Sequence, residues 1–174
     1  EEGAGTDCSS IPELLLASAA GVTGEEILLT SNDTPYGEFQ QAITLGAVIN
    51  LDDLSHLSYM AEHAGLPKVL CFRYNPGNLV QGNEIIGNPI EAKYGLTRPQ
   101  LFEGYARAQE MGMQRFGLHT MVISAERRTE AFLLTARIMF ELAVELKERL
   151  GIHPEFVNLG GGFGIPYRPE ESPV

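Results

Sequence analysis

Short apolar runs alternate with amphipathic stretches along the whole chain. The runs are Gly5–Cys8, Ile27–Thr30, Val48–Leu51, Val69–Tyr74, Arg115–Val122 and Phe156–Leu159. Most are short and continuous, and those at Ile27, Val48 and Val69 are rich in Val, Ile and Leu, the pattern of strands buried on both faces. Helix signals fill the gaps. Ser10-Ile11-Pro12-Glu13 has the form of a capping box and leads into Leu14, Leu15 and Leu16. Thr34-Pro35 opens a second helix, with Phe39, Ala42 and Ile43 on one face and Gly46 as its stop. Asp53 opens a third, with Leu54, Leu57 and Ala61 inward, and Thr97-Arg98-Pro99-Gln100 is a second capping box. The longest helix is predicted over 127–150, with Phe132, Ala136, Met139, Ala143, Leu146 and Leu150 on one stripe and Gly151 at its end. Strands alternating with helices predict an α/β fold with a parallel sheet and helices outside. The runs at Ile27, Val48 and Val69 recur about every 21 residues, which is tight for a doubly wound sheet and comfortable for a (β/α) barrel. About six units are present where a closed TIM barrel has eight. The prediction is an incomplete barrel, a single partial domain over 1–174.

One segment breaks the pattern. From Asn75-Pro76-Gly77-Asn78 to Lys93-Tyr94-Gly95 the chain is long, irregular and rich in Gly and Asn. It follows a strand, which places it on the C-terminal face where barrel enzymes keep their sites. A surface insertion is the simpler reading of the same segment.

Composition narrows the function classes. The net charge is -11 and the sequence pI about 4.7, which argues against a nucleic-acid or anionic-membrane partner. No apolar run approaches the ~20 residues of a membrane span, and no basic-apolar leader opens the chain. Cys8 and Cys71 read as two buried thiols. A cytoplasmic protein is expected. The chain opens on Glu1-Glu2-Gly3 and stops at Ser172-Pro173-Val174, just past a glycine turn, so a piece of a longer protein is expected.

That turn is Gly160-Gly161-Gly162, directly after an apolar strand. Glycines can place several backbone N–H groups around one point, a nest that binds phosphate. They also make turns that bind nothing. Asp7 ends the first strand and either faces the barrel mouth or caps the helix after it. Arg73 is a charge in an apolar strand and needs a partner, either an anionic ligand or a carboxylate such as Asp7. His119 and Met121 alternate onto one face of their strand, and a lone strand histidine can equally be a satisfied core group. His56, His63 and His153 read as solvated. No pair has metal-ligand spacing, so no metal is expected.

Four segments in the same order resemble one family. Gly5-Thr6-Asp7-Cys8-Ser9-Ser10-Ile11-Pro12-Glu13-Leu14, Arg73-Tyr74-Asn75-Pro76-Gly77, Lys93-Tyr94-Gly95 and the Gly160–Gly162 turn are similar to the pyridoxal-phosphate-dependent, alanine-racemase-fold decarboxylases of basic amino acids. The Arg-x-Asn-Pro-Gly and Gly-Gly-Gly-Phe-Gly-Ile-Pro-Tyr forms look most like the diaminopimelate decarboxylases. The resemblance implies a pyridoxal 5'-phosphate barrel, a small amino-acid substrate and a homodimer in the full-length protein. It implies that Gly160, Gly161 and Gly162 cradle the cofactor phosphate and that Ser124 adds a hydroxyl. Asp7 would lie near the lysine linkage of the cofactor, Arg73 near the ring oxygen and Lys93 by the mouth of the site. The implied reaction is α-decarboxylation of a diamino acid, from diaminopimelate to lysine. A carboxynorspermidine, ornithine or arginine decarboxylase, or a non-catalytic pyridoxal-phosphate barrel, are the alternatives.

The chain departs from the family in named places. Where the family has His-x-His-x-Gly-Ser, this chain has His119-Thr120-Met121-Val122-Ile123-Ser124, so Met121 takes the position of the ring-stacking imidazole and Ile123 that of a glycine. Asn158 stands where an Asp is common. The family's cofactor-attaching lysine lies on the first barrel strand, which would precede Glu1. Lys68, Lys93 and Lys147 do not match it. The acidic partner of the pyridine nitrogen and the C-terminal β domain would follow Val174. The 174 residues alone are therefore expected to be inactive.

Overall fold

The computed structural model describes residues 3–77, 94–168 and 170. Six strands form one parallel sheet in chain order: β1 (Thr6–Cys8), β2 (Ile27–Thr30), β3 (Val48–Leu51), β4 (Leu70–Tyr74), β5 (Phe116–Thr120) and β6 (Val157–Asn158). Between them run α1 (Ile11–Ala19), α2 (Tyr36–Leu45), α3 (Leu54–His63), α4 (Arg98–Glu110) and α5 (Thr129–Leu150). Parallel strands paired in sequence order, each returning through an outer helix, make the curled arc of an incomplete (β/α) barrel.

Strand alternation divides the side chains between two environments. Ile27, Leu29, Ile49, Leu51, Leu70, Phe72, Phe116 and Leu118 face outward and pack with Leu14, Phe39, Met60, Tyr105 and Leu146 from the helices. Each fully buried Leu, Ile or Phe contributes roughly 1.5–3 kcal/mol, so this layer holds the helices to the sheet. The inner face is different. Val48, Val69 and Cys71 form a small separate cluster. Nearer the C-terminal strand ends the inner residues turn polar: Thr30, Asn50, Arg73 and His119. Register aligns Thr30 with Asn50, and Arg73 with His119.

The helix ends show where local chemistry was decisive. Gly46 and Gly151 stop α2 and α5 in the left-handed conformation. Asp53 caps α3, its carboxylate accepting from Ser55 N–H at 2.8 Å. The Gln100 side chain accepts from the Thr97 N–H at 3.0 Å and hydroxyl at 2.7 Å. The first capping box does not form. Ser10 is the cap residue of α1 without a side-chain bond, and Glu13 reaches past it to the N–H and hydroxyl of Ser9. Leu15 and Leu16 stay exposed; Leu14 and Ala17 carry the burial of α1. Cys8 and Cys71 are buried free thiols, as read from the sequence. Lys93 and most of the irregular 75–95 segment lie outside the described residues.

Candidate functional site

The glycine turn and the loop after β5 form one unit at the C-terminal end of the sheet. Gly160, Gly161 and Gly162 have φ of 83°, 89° and 85°, a run that residues with a Cβ avoid. Close approach adds a second reason. A Cβ on Gly160 would lie 2.7 Å from the Met121 Sδ and would overlap the Thr120 carbonyl; one on Gly162 would lie 2.9 Å from the Ser124 Cα and would overlap the Ile123 carbonyl. A Cβ on Gly161 would meet nothing within 4 Å. The turn is thus pressed against 120–124 at both ends and open in the middle. A ladder continues past it, with the Glu126 N–H donating to the Gly162 carbonyl at 2.8 Å and the Gly164 N–H to the Glu126 carbonyl at 2.7 Å. The Gly160 N–H donates to the Asn158 Oδ1 at 2.8 Å. The Gly161 and Gly162 amides have no acceptor among the described residues. Consecutive amides in a glycine turn are the kind of arrangement that can nest an anion.

The inner polar row lies alongside. Asn50 Nδ2 donates to His119 Nδ1 at 3.1 Å, which leaves the ring hydrogen on Nε2. His119 is 3% exposed. Burial first, and the Arg73 guanidinium second, push its pKa down to about 3. Asn50 Oδ1 and Asp52 Oδ2 are buried and have no hydrogen-bond partner among the described residues, so the inner face holds unspent polar capacity. Arg73 Nη1 lies 3.5 Å from Asp52 Oδ1, and its guanidinium stands over the Tyr94 ring at 5.1 Å. Asp7 sits within β1 in register with inward Leu28. Desolvation raises its pKa, offset by the Thr30 hydroxyl and Arg73. A hollow of about 330 Å³ lies toward the N-terminal strand ends, lined by Gly5, Thr6, Glu25, Glu26 and Val48 as well as Asp7 and Asn158, and takes in neither the glycine turn nor Arg73 and His119.

The buried neutral imidazole has a thermodynamic signature. Below pH 6.5 the unfolded chain binds a proton that native His119 refuses until about pH 3. This component of stability is complete above pH 6.5 and falls on acidification, by up to ~1.4 kcal/mol per pH unit. Denaturant unfolding from pH 7 to pH 4 should show a shallower fall for His119→Gln than for the wild type. Equal slopes would mean that His119 titrates normally.

Of the residues singled out in the sequence, Ser124, Met121 and the glycines come together at the cradle, and Arg73 and His119 on the inner row. Asp7 is a strand residue, not a helix cap. The ion-pair partner of Arg73 is Asp52 rather than Asp7, though Asp7 feels its field. β5 ends at Thr120, so Met121 does not continue the strand alternation with His119 but lies against Gly160. Ile123 turns its side chain away from the cradle, into a pocket with Val122, Phe132 and Ile138, and so is accommodated where the family carries a glycine. His56, read as solvated, is half-buried, with its Nδ1 buried and its ring edge-on to Phe39. Asn50, Asp52 and Glu126 were missed. Period-two spacing along Val48, Asn50 and Asp52 was the available signal for the first two. Lys68 and Lys147 are exposed and lie away from the cradle. Among the described residues no group of three His, Cys, Asp or Glu could hold a metal ion.

The parallel strand-helix arc with a glycine turn at its C-terminal strand ends has the architecture of part of a (β/α) barrel. The family model "Pyridoxal-dependent decarboxylase, pyridoxal binding domain" matches residues 1–174, and the chain belongs to that family, whose cofactor is pyridoxal phosphate. It is 36% identical over 172 residues to protein TabA of Pseudomonas amygdali pv. tabaci, covering 99% of this chain and 40% of TabA. It is 34% identical over 176 residues to the diaminopimelate decarboxylase of Methanothermobacter thermautotrophicus, covering 100% of this chain and 41% of that enzyme. The crystal structure of the M. jannaschii diaminopimelate decarboxylase superposes with a TM-score of 0.86 at 29% identity, over 99% of this chain and 41% of that one. The chain thus spans about two fifths of the length of these relatives.

Proposed function

We propose that residues 1–174 supply the phosphate-binding side of a pyridoxal-phosphate-dependent amino-acid decarboxylase, with meso-diaminopimelate as its substrate and lysine as its product. The observation that carries this reading is the open Gly161–Gly162 amide row locked beside Ser124. The identity to diaminopimelate decarboxylases over the full chain supports the choice of substrate, as does the L-lysine complex of the M. jannaschii enzyme. On this reading the Gly161 and Gly162 amides and Ser124 hold the phosphate, while Asn158 keeps Gly160 turned inward. Met121 offers a thioether to one face of the ring. Arg73, oriented by Asp52, presents a cation on the inner face. Neutral His119 can donate from Nε2 without bringing charge into the site. Asp7 offers a carboxyl at the open edge of β1. The bound cofactor supplies an electron sink for the substrate α-carbon. The same reading carries a cytoplasmic homodimer with a C-terminal β domain. The free thiols fit a reducing compartment, and no helix among the described residues is long and apolar enough to cross a membrane.

A second reading follows from Met121. A thioether in place of an imidazole alters the ring contact, which favours another amino-acid substrate or a barrel that binds the cofactor without catalysis. The test is to load the intact protein with pyridoxal phosphate and assay CO2 release from meso-diaminopimelate, ornithine and arginine. Lysine production at rates well above the other substrates is expected. Turnover of another diamino acid alone would replace the substrate. Cofactor uptake without any CO2 would establish the non-catalytic reading.

A further inference from the structure

Beside the glycine turn, Glu126 joins the 126–128 segment to the chain at the end of the turn. The Glu126 side chain is 7% exposed. Its Oε1 accepts from the N–H groups of Arg127 (2.8 Å) and Arg128 (2.7 Å) and from the Arg128 Nε (3.0 Å). Its Oε2 accepts from the Arg128 Nη2 at 2.7 Å. These donors, the Arg128 guanidinium first, hold the carboxyl at about pKa 2. Its backbone takes part in both ladder bonds to Gly162 and Gly164. Glu126 therefore ties the glycine turn to the head of α5. The Phe132 and Phe163 rings, stacked at 4.2 Å, brace the same junction.

The segment it holds is not relaxed. Ala125 has φ 50°, alone among the described non-glycine residues in the left-handed region, where a Cβ is disfavoured. Ala125 separates Glu126 from Ser124. Strain of this kind persists only where the surroundings over-determine it, and it gathers at binding sites. A carboxylate with four donors, on a residue whose main chain makes both ladder bonds, is such a surrounding. Glu126 itself cannot ligate an anion, because its charge would repel one and its oxygens point to Arg128.

We propose that Glu126 is a positioning residue of the phosphate cradle: by clasping the 125–128 loop it holds Ser124 and the Gly161–Gly162 amides at the spacing that one phosphoryl group needs. The proposal rests on the pyridoxal-phosphate reading above. A merely structural clasp would support the fold and leave the site indifferent to whether a ligand carries phosphate.

The experiment compares pyridoxal phosphate with pyridoxal, each titrated by absorbance into the intact protein. The wild type should prefer the phosphorylated form. Glu126→Ala should raise the Kd for pyridoxal phosphate about 10-fold or more while the Kd for pyridoxal stays within about twofold. Glu126→Gln retains an acceptor for the two backbone N–H groups and loses the charge, so it should fall between. If Glu126→Ala does not fold, Glu126→Gln and Arg128→Ala carry the comparison. Equal weakening toward both ligands, or unchanged Kd values in folded variants, would overturn the positioning role and leave the phosphate reading standing. A wild type without preference for the phosphorylated ligand would overturn the phosphate reading, and this proposal with it.

Discussion

Replacing Gly162 by valine in the intact protein is expected to weaken pyridoxal phosphate binding by roughly 100-fold or more. Each charge-assisted bond from a backbone amide to the phosphate contributes about 1.5–3 kcal/mol, and two such bonds reach that factor at ~1.4 kcal/mol per tenfold. Geometry makes the loss unavoidable. Gly162 sits at φ 85°, and any Cβ there overlaps the Ile123 carbonyl and approaches the Ser124 Cα to 2.9 Å. Both neighbours are backbone, so no rotamer change can relieve the clash. The turn must part from the 123–126 loop, which also breaks the Glu126-to-Gly162 bond. Gly161→Ala separates occupancy from clash. Its methyl enters open space, so the fold suffers only the left-handed strain of ~1–2 kcal/mol, while a phosphate in the cradle would meet the methyl. Cofactor titration of the folded fraction reads both variants. An unchanged Kd in folded Gly162→Val protein would reduce the glycines to a turn.

Barrel architecture was legible because it depends on patterns that local sequence carries. The bounds of β2 and β3 follow from continuous apolar runs flanked by polar turns. Gly46 and Gly151 ended their helices for a conformational reason that needs no tertiary context. β5 was read too long, since Arg115 leaves the strand for ion pairs with Glu25 and Glu155, and 121–123 bends toward the glycine turn. The cradle was legible in its glycines but not in its depth. That Asn158 would take the Gly160 amide is a local Asx contact and could have been found. That Glu126 would ladder with Gly162 and Gly164 joins residues distant in sequence, and nothing in Ser124-Ala125-Glu126 announces it. The inner row divides the same way. Alternation places Arg73 and His119 inward, but their partners Asp52 and Asn50 come from β3 and the turn after it, one strand away from Arg73 and two away from His119. Strand register, which the sequence pattern does not specify, decides which carboxylate meets Arg73.

Arg73→Met should destabilise the protein by about 3–5 kcal/mol at neutral pH, the usual result of stripping one partner from a buried ion pair. The Asp52 side chain is only 4% exposed, and Arg73 is its sole ion-pair partner among the described residues. Desolvation already raises the Asp52 pKa, and the Arg73 charge is the largest influence pulling it back. Without that charge the native pKa rises further above the unfolded value. A carboxyl raised in the native state costs nothing at low pH, where both states are protonated. The penalty grows as pH climbs through the unfolded pKa and levels off above the native one. The deficit of Arg73→Met relative to wild type should therefore shrink between pH 7 and pH 5. His119 acts in the same direction, because Arg73 helps depress its pKa, and losing that charge eases its protonation on acidification. Asp52→Asn combined with Arg73→Met should recover part of the loss, since the double variant leaves no buried charge unpaired. Urea unfolding of the four members of this cycle at both pH values measures the coupling directly. A deficit under about 1 kcal/mol, or one that does not change with pH, would show that Asp52 is solvated in the native protein and that the Asp52–Arg73 pair does not organise the inner face.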